Sequence, residues 1–270
     1  MIFFVLLVYS EKYYEKALYE LNELAKKTSG SSNYKLLVVN NNNQLDLCKF
    51  DYLRSKIDFI EGDNTGFEFS GWDVATAYLR TNYNITNSYI AYANDTFCHH
   101  RKWGFYQKYK FSHAFKYFIQ SNISGLCGEK NIFSNKVNLN NVELDGWIST
   151  YLFMISTDFL INNNVKFDNA TNKESCFFSV ITENEIKFNS NFDEELAKHL
   201  NSWLFPSNEK NGWYKANDSS LIEKRNKLKS ILNEKLLSAN IKNKCGEIID
   251  INSFLIPSML RYLKKLLVGK

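Results

Sequence analysis

The sequence predicts an α/β protein with a doubly wound, mostly parallel sheet flanked by helices, followed by a helical C-terminal extension. Short apolar runs typical of buried strands alternate with segments of helical spacing over the first 120 residues. The order strand, helix, strand, strand, helix, strand, helix favours helices on both faces of one sheet. Polar side chains follow the predicted strands, as expected where parallel strands end at a common edge.

Each element of the first half follows from its local pattern. Ile2–Val8 is a continuous apolar run, which favours a buried strand over a signal peptide because no basic leader or small-residue cleavage site accompanies it. Glu11–Lys27 has apolar residues at helical spacing, and the Ser/Gly turn Thr28–Asn33 follows it. The next elements are strands Lys35–Val39 and Lys56–Ile60, helix Ser70–Thr81, strand Ser88–Ala93 and helix Trp103–Gln120.

The second half has a looser pattern, and its elements are correspondingly less regular. We predict a strand at Ile123–Cys127, an apolar segment of strand or helix type at Trp147–Ile161, and short strands between Asn-rich turns over Asn162–Asn191. Two helices follow, Phe192–Leu204 and Ser220–Leu237, with the polar loop Phe205–Ser219 between them. The segment Ile251–Val268 closes the chain. A domain boundary is predicted at residue 205, so that 1–205 forms the α/β domain and 206–270 the extension.

Composition narrows the class of protein. Hydrophobic residues make up 44% of the 270 residues and aromatics 16%, which supplies a packed core and argues against global disorder. The net charge of +4 comes without a dense basic stripe, so no nucleic-acid partner is expected. The five cysteines form no CxxC pair, which argues against a cysteine zinc site and favours a reduced, cytoplasmic setting. No apolar run reaches the roughly 18 residues of a membrane span.

The segment Tyr89–Phe97 is the most informative, because an apolar strand ends there in Asn94 and Asp95. Ligands of open α/β sheets bind beyond the carboxyl ends of the strands. Oxygen atoms at this position suit a divalent cation or a sugar hydroxyl. A second polar cluster, Gly62–Asp73, follows the third strand, and two such clusters in succession predict a nucleotide-sugar site.

Side chains at successive strand ends are candidates for binding the nucleoside. Tyr9 and Ser10 follow the first strand, Asn40 follows the second, and Asp63 and Asn64 follow the third. The alternative for each is a turn former, because Ser, Asn and Asp make local bonds to the backbone. Their coincidence at three strand ends favours a site.

Asp95 is the candidate ligand for Mg²⁺ or Mn²⁺, with His99 as a further metal ligand and Asn94 as a carbonyl donor. The basic pair Arg101 and Lys102 is a candidate for facing a diphosphate. The alternatives are that Asp95 caps the following helix and that residues 99–102 form an exposed basic loop.

Further candidates surround the start of the second helix. Ser70 is predicted to cap this helix, with Asp73 either as its capping-box partner or as a catalytic residue. Glu68, in a Gly-containing loop before the cap, is assigned to the catalytic set through contact with the donor sugar. Trp72 is assigned to the binding site of the nucleotide-sugar.

The segment ELDGW (Glu143–Trp147) offers a general base, because it holds two carboxylates beside an aromatic ring. A transferase that inverts the configuration at the anomeric carbon of the sugar needs such a base to deprotonate the acceptor hydroxyl. Asp145 is the first candidate and Glu143 the second. The alternative is an acidic turn ahead of a core segment.

With these residues the chain resembles bacterial surface-polysaccharide glycosyltransferases with a GT-A-type fold, in particular the rhamnan synthesis protein F group and related O-antigen transferases. Asn64–Trp72 (NTGFEFSGW) resembles the group's N-x-G-x-[DE] segment, Asn94–Thr96 resembles its NDS or NDT strand end, and Ser149–Phe153 matches a later aromatic segment loosely. The likeness covers residues 1–165. The chain lacks the full Asp-x-Asp of many such enzymes, which leaves a metal requirement open.

The resemblance implies that residues 1–205 form a catalytic domain that takes a sugar from a nucleotide-sugar donor. It implies that the acceptor is a growing O-antigen or capsule polysaccharide in the form of a lipid-linked glycan. It also implies that the transfer takes place at the inner membrane face. Two other functions stay open: a non-catalytic glycan-binding or scaffold protein, and a nucleotidyltransferase. The latter usually has a Gly-rich loop after the first strand, where this chain has Tyr9–Tyr13 (YSEKY).

The last residues, Pro257–Lys270, predict an amphipathic helix with four leucines on one face and basic residues elsewhere. Such a helix can lie on an anionic membrane surface, which predicts a peripheral membrane contact. The alternative is that it packs on the domain with its lysines in water.

Overall fold

The computed structural model of the protein describes residues 1–30, 33–42, 45, 57–99, 102–206, 212–213 and 215–254. The strands in this part of the chain are β1 (Ile2–Val8), β2 (Tyr34–Asn40), β3 (Ile57–Glu61), β4 (Tyr89–Asn94), β5 (Gly125–Leu139), β6 (Val142–Ser156), β7 (Phe178–Ile181), β8 (Ile186–Phe188) and β9 (Glu247–Asp250). The α-helices are α1 (Tyr14–Ser29), α2 (Glu68–Asn82), α3 (Phe105–Gln120), α4 (Thr157–Asn162), α5 (Glu194–Leu204) and α6 (Leu221–Asn243). Single 3-10 turns cover Thr171–Cys176 and Ile251–Phe254.

The main sheet has the strand order β3-β2-β1-β4-β6-β5-β9. Strands β3, β2, β1 and β4 run parallel, β6 runs antiparallel to both β4 and β5, and β9 runs parallel to β5. Strands β7 and β8 form a separate two-stranded ribbon. The predicted fold class, a mostly parallel α/β sheet flanked by helices, is confirmed.

Strand β1 lies inside the sheet between β2 and β4, and all seven of its residues are buried. Because successive side chains point to opposite faces of a strand, Phe4 and Leu6 pack under α1 and α3, whereas Phe3 and Val5 pack under α2 and α4. A strand covered on both faces needs the continuous apolar run seen in the sequence. This requirement explains why the bounds predicted for β1 agree with the structure.

The register of the parallel strands brings their carboxyl ends to one rim of the sheet. Val8 pairs with Asn40 on one side, and Leu7 pairs with Asn94 on the other. The residues that follow β1, β2 and β4 therefore begin at the same level. We call this edge the rim.

The start of α2 differs from the prediction, because the helix begins at Glu68 and its N-cap is Phe67 with φ of 55°. Ser70 is therefore inside the helix, where its hydroxyl accepts the Gly66 amide at 2.9 Å. Asp73 is not a capping-box partner either. Its two carboxylate oxygens each accept a backbone amide at 3.0 Å, from Phe167 and from Asp168.

The apolar segment predicted at Trp147–Ile161 is divided between β6 and the short helix α4. The strand predicted at Ile123–Cys127 extends to Leu139 as β5. Because Ala93 pairs with Leu152, residues 142–150 continue beyond the carboxyl end of β4. This projecting β5–β6 hairpin packs on α5 and α6 in a third apolar cluster.

The described part of 206–270 is joined to the main sheet. Helix α6 carries a capping box in which Ser220 and Glu223 satisfy each other's backbone amides, and its side chains pack against β6. Strand β9 then pairs with β5. Residues of β9 and α6 pack in the same apolar clusters as the strands before residue 205. The domain boundary at residue 205 stays a prediction. The predicted tail helix Pro257–Lys270 lies outside the described residues, and within them no helix has the length and apolarity to cross a membrane.

Asp73 anchors the 167–168 segment to α2, so its removal is expected to destabilise the fold. Burial raises the pKa of the Asp73 carboxyl, and the two amide bonds oppose that rise. Asp73→Ala leaves two amides without their acceptor, and we expect the free energy of unfolding to fall by about 2–4 kcal/mol. Urea unfolding measures this. Asp158→Ala is the control, because that carboxylate accepts a single exposed amide from Asn87, and we expect a loss below about 1 kcal/mol.

Candidate functional site

A cavity of about 590 Å³ opens at the rim, where β1 and β4 end and α2 begins. We call it the rim cavity. Its sheet side is formed by Leu7, Tyr9, Asn64, Phe67, Glu68, Asn94, Asp95 and Thr96, and its opposite side by Trp203, Gly212, Trp213, Lys215, Glu223 and Lys227. The volume falls within the range of small-molecule sites.

The rim cavity contains five of the side chains that the sequence singles out. Tyr9, Asn64, Glu68, Asn94 and Asp95 all contribute to its wall, although they come from three different connections. The parallel register explains this, since it brings the ends of β1 and β4 to the same level. The roles assigned to these residues stay predictions.

Asp95 holds the connection between β1 and α1 in place. Its Oδ2 atom accepts the amide of Tyr9 at 2.8 Å and the amide of Ser10 at 2.7 Å, and only 4% of the residue is exposed. Asp95 does not cap the following helix, because α3 begins at Phe105. The carboxylate therefore fixes the path of the chain past Tyr9, whose own side chain is 53% exposed.

The two predicted ligands of the Mg²⁺ or Mn²⁺ site, Asp95 and His99, both bond to the backbone of the connection between β1 and α1, and the site stays a prediction. His99 directs Nε2 at the carbonyl oxygen of Tyr13, 3.0 Å away, and its ring packs on the Tyr13 ring. The Oδ2 atom of Asp95 is occupied by two amides. Within the described ranges no three His, Cys, Asp or Glu side chains form a metal-binding group. His100 and Arg101 lie outside the described residues.

Trp72 does not contact the cavity, so its predicted place in the nucleotide-sugar site is wrong. The side chain is fully buried on the sheet side of α2, with its ring centroid 5.1 Å from that of Phe153 and 5.0 Å from that of Phe69. A large aromatic side chain facing a sheet is expected to join the core. The neighbouring motif residue Glu68 has the opposite orientation and lines the cavity.

Asn40 and Asp63 act as turn formers, the alternative that the sequence left open. Asn40 is buried, and its Oδ1 atom accepts the amide of Asn42 at 3.0 Å. Asp63 is exposed and accepts the amide of Thr65 at 3.1 Å, and this bond is the main cause of the lowered pKa of its carboxyl. Neither residue lines the rim cavity.

Asp145 and Glu143, the predicted general bases, are not brought to the rim cavity. Both are exposed on the projecting β5–β6 hairpin, where Asp145 pairs with Lys130 at 2.6 Å and Glu143 pairs with Lys136 at 2.7 Å. The bond from Lys130 lowers the pKa of the Asp145 carboxyl. The hairpin carries both residues beyond the carboxyl end of β4, and their role as general base stays a prediction.

The opposite side of the rim cavity was missed by sequence reasoning. Trp203 and Trp213 stack with ring centroids 6.4 Å apart, and the amide of Trp213 donates to the carbonyl of Trp203 at 2.8 Å. Gly212, with φ of 131°, allows this turn, because a Cβ there would lie 2.8 Å from the Trp203 carbonyl oxygen. The available signal in the sequence was Trp203 just before the predicted polar loop Phe205–Ser219 and Trp213 within that loop.

Lys227 supplies positive charge to this side of the cavity. Its Nζ lies 5.6 Å from the Trp203 ring centroid, and in the part of the chain described here no carboxylate forms an ion pair with it. Glu223 is held at the start of α6, where its bonds to Ser220 lower the pKa of its carboxyl. The Lys227 ammonium group, beside the Trp203 ring and across the cavity from the strand ends, can bind an anionic ligand.

A second, larger cavity of about 860 Å³ lies at the tip of the β5–β6 hairpin, with Asn138, Asn141 and Asp193 in its wall. It is lined mainly by amide and loop residues and is distant in sequence from the strand ends. The rim cavity is the better candidate, because it occupies the position where open α/β sheets bind ligands.

Comparison with known proteins gives a limited likeness. No protein-family model and no curated protein matches the sequence. Two crystal structures of S. aureus TarS 1–349 are similar: the complex with UDP has a TM-score of 0.39 and 16% identity, and a second structure has 0.35 and 12%. Each alignment covers 62% of this chain and 50% of the TarS chain, so this chain spans about half the length of that neighbour. At these TM-scores the likeness carries no conclusion about this chain.

Proposed function

We propose that this protein is a glycosyltransferase that binds a nucleotide-sugar donor in the rim cavity and transfers the sugar to a glycan acceptor. The observation that carries this proposal is the cavity itself. It joins strand-end residues Tyr9, Asn64 and Asp95 on one side to Lys227 on the other. Its position at the carboxyl edge of a mostly parallel sheet suits a nucleotide ligand.

The strand-end side of the cavity suits the nucleoside. The exposed ring of Tyr9 offers an apolar face to a base or ribose, and the amides of Asn64 and Asn94 offer hydrogen bonds. Asp95 acts as a positioning residue in this proposal, since its carboxylate fixes the backbone that carries Tyr9.

The α6 side of the cavity suits the diphosphate. Lys227 and Lys215 both line it, and a lysine ammonium is a common partner of phosphate groups. In this proposal Lys227 stabilises the negative charge that develops on the departing nucleoside diphosphate. This proposal assigns no step to a metal ion.

Glu68 is the proposed general base, since it is the member of the predicted catalytic set that lines the cavity. It takes the proton from the acceptor hydroxyl while the acceptor oxygen bonds to the anomeric carbon of the sugar. The bond from that carbon to the diphosphate oxygen breaks, and the nucleoside diphosphate leaves with the electron pair. The hydrogen bond from Ser230 at 3.3 Å holds the Glu68 carboxylate in place.

The resemblance of Asn64–Trp72 and Asn94–Thr96 to surface-polysaccharide transferases supports a growing O-antigen or capsule chain, on a lipid-linked glycan, as the acceptor. The same resemblance supports action in the cytoplasm at the inner membrane face, and the amphipathic pattern of Pro257–Lys270 supports a membrane contact there. These assignments extend the proposal and depend on it.

A ligand panel tests the proposed function. Nucleoside diphosphates with uracil, guanine, cytosine and thymine bases are added to the full chain, with EDTA or with Mn²⁺, and the melting temperature is measured. We expect one base to raise it by a few degrees, by about the same amount in EDTA, and the matching nucleotide-sugar to be hydrolysed slowly. A shift without hydrolysis or transfer favours a glycan-binding scaffold, and no shift with any base contradicts the proposal.

Removal of the Lys227 charge is expected to weaken binding of the nucleoside diphosphate. Loss of one charge-assisted bond costs about 1.5–3 kcal/mol, which is a 10- to 100-fold rise in Kd. Isothermal titration measures this for Lys227→Ala. Lys229→Ala is the control on the same helix, because Lys229 pairs with Glu174 at 2.8 Å and lines neither side of the cavity. Equal affinities for both variants would remove Lys227 from the site.

A further inference from the structure

A smaller cavity of about 270 Å³ adjoins the rim cavity and shares part of its wall. We call it the α6 cavity. Asn226 and Ser230 line the α6 cavity alone, and six residues line both cavities: Phe67, Glu68, Trp213, Lys215, Glu223 and Lys227. The two spaces therefore meet at Glu68, the proposed general base.

One wall of the α6 cavity is a polar face of helix α6. Asn226 and Lys227 lie three and four residues after Glu223, and Ser230 lies four and three residues after them, the spacing that places side chains on one side of a helix. This face presents a carboxylate, an amide, an ammonium group and a hydroxyl within one cavity. Such a set both donates and accepts hydrogen bonds.

The other wall is aromatic. Phe67 is 37% exposed, and the Trp213 ring is held in place by its stack on Trp203. A pyranose ring has an apolar C–H face and a rim of hydroxyl groups that each donate and accept hydrogen bonds. An aromatic wall opposite a mixed polar wall matches both parts of that ring.

The polar wall is rigidly attached to the rest of the site. Asn233, one turn beyond Ser230 on α6, accepts the amides of Asn169 and Ala170 at 2.8 and 2.6 Å and donates to Asp168 at 2.9 Å. Asp168 in turn lies against Gly66, where a Cβ would be 2.4 Å from its Oδ2 atom. Helix α6 and the start of α2 are thus fixed to each other through one segment, which preorganises the cavity between them.

We propose that the α6 cavity is the sugar subsite, with Asn226 and Trp213 as its specificity-determining residues. This inference rests on the proposed function and adds to it the place and the chemistry of sugar recognition. The rim cavity takes the nucleoside diphosphate, and the neutral sugar lies between the aromatic wall and α6, with its reacting carbon beside Glu68. The ligand class for the smaller cavity is a neutral pyranose.

The test compares two ligands on one set of variants. Asn226→Phe adds a ring at a residue that lines the α6 cavity but not the rim cavity, and Asn226→Ala removes the amide with less risk to folding. Ile222→Phe is the control, because it adds the same ring to α6 at a position that is 71% exposed and lines neither cavity. Isothermal titration is run with the nucleoside diphosphate and with the matching nucleotide-sugar, after urea unfolding has shown that each variant folds.

We expect Asn226→Phe to weaken binding of the nucleotide-sugar at least tenfold and to change binding of the nucleoside diphosphate less than twofold. Asn226→Ala should show the same selectivity with a smaller effect, and Ile222→Phe should change neither. Equal weakening of both ligands, or no change in either, would overturn the sugar subsite while leaving the proposed function intact.

Failure of the proposed function gives a different result, because the wild-type chain then binds no nucleoside diphosphate. In that case neutral monosaccharides are titrated alone, with tryptophan fluorescence as the readout for Trp213. Sugar binding that Asn226→Phe abolishes would support the subsite in a glycan-binding protein. Absence of any sugar binding would overturn it.

Discussion

Replacement of Glu68 by glutamine is expected to lower kcat for sugar transfer by about 10²- to 10⁴-fold, the usual range for loss of a general base. The amide keeps the size of the side chain and can still accept the Ser230 hydroxyl, which donates to Glu68 at 3.3 Å. It cannot take a proton at neutral pH. Because Glu68 is not assigned to the diphosphate, the Kd for the nucleoside diphosphate should change less than twofold.

The matched control is Asp145→Asn, which makes the same carboxylate-to-amide change at the residue that the sequence favoured as the base. Asp145 is 58% exposed and pairs with Lys130 on the projecting β5–β6 hairpin. We expect its replacement to leave kcat within about twofold, since surface ion pairs contribute little. Loss of transfer in Asp145→Asn with full activity in Glu68→Gln would reverse the two assignments.

The second large effect is expected at Asp95. Asp95→Ala removes the acceptor of the Tyr9 and Ser10 amides, which donate at 2.8 and 2.7 Å. We expect the free energy of unfolding to fall by about 3–6 kcal/mol, the cost of two hydrogen bonds to a charged acceptor. Sugar transfer should be abolished, because the backbone that carries Tyr9 loses its anchor.

Asp95→Asn separates the two roles of the carboxylate, which are to accept the Tyr9 and Ser10 amides and to carry a negative charge. The asparagine side chain keeps one oxygen that can accept both amides, so this variant should retain most of the stability and a measurable affinity for the nucleoside diphosphate. Urea unfolding and titration with the nucleotide are the two measurements. If both variants lose binding equally and Asp95→Ala is as stable as the wild type, the carboxylate acts through its charge on a ligand or an ion, and the anchoring role is wrong.

The sheet that positions the site was predictable from the sequence, because a strand covered on both faces needs an apolar residue at every position. The run Ile2–Val8 is apolar at every position, and it forms a strand with those bounds. The β5–β6 hairpin was not predictable in the same way. Its strands each have 15 residues, and only the residues next to the turn, 136–139 and 142–145, alternate between buried and exposed. This part of the hairpin packs against α5 and α6.

The candidate site was predictable only on its strand-end side. Asn64, Glu68 and Asp95 each follow a predicted strand, so the rule for open sheets brings them to one edge. Trp213 and Lys227 come from a loop and a helix far along the chain, and only the tertiary structure brings them to that edge. Trp72 shows the converse error, because its motif gave no indication of which side of α2 faces the sheet.

The most direct test of the central claim is a crystal structure of the full chain with the nucleoside diphosphate that gives the largest thermal shift. The account predicts the base beside the Tyr9 ring and the phosphates within hydrogen-bonding distance of Lys227 Nζ, inside the rim cavity. A ligand bound instead at the hairpin tip near Asn141 and Asp193, with the rim cavity closed to it, would contradict the account.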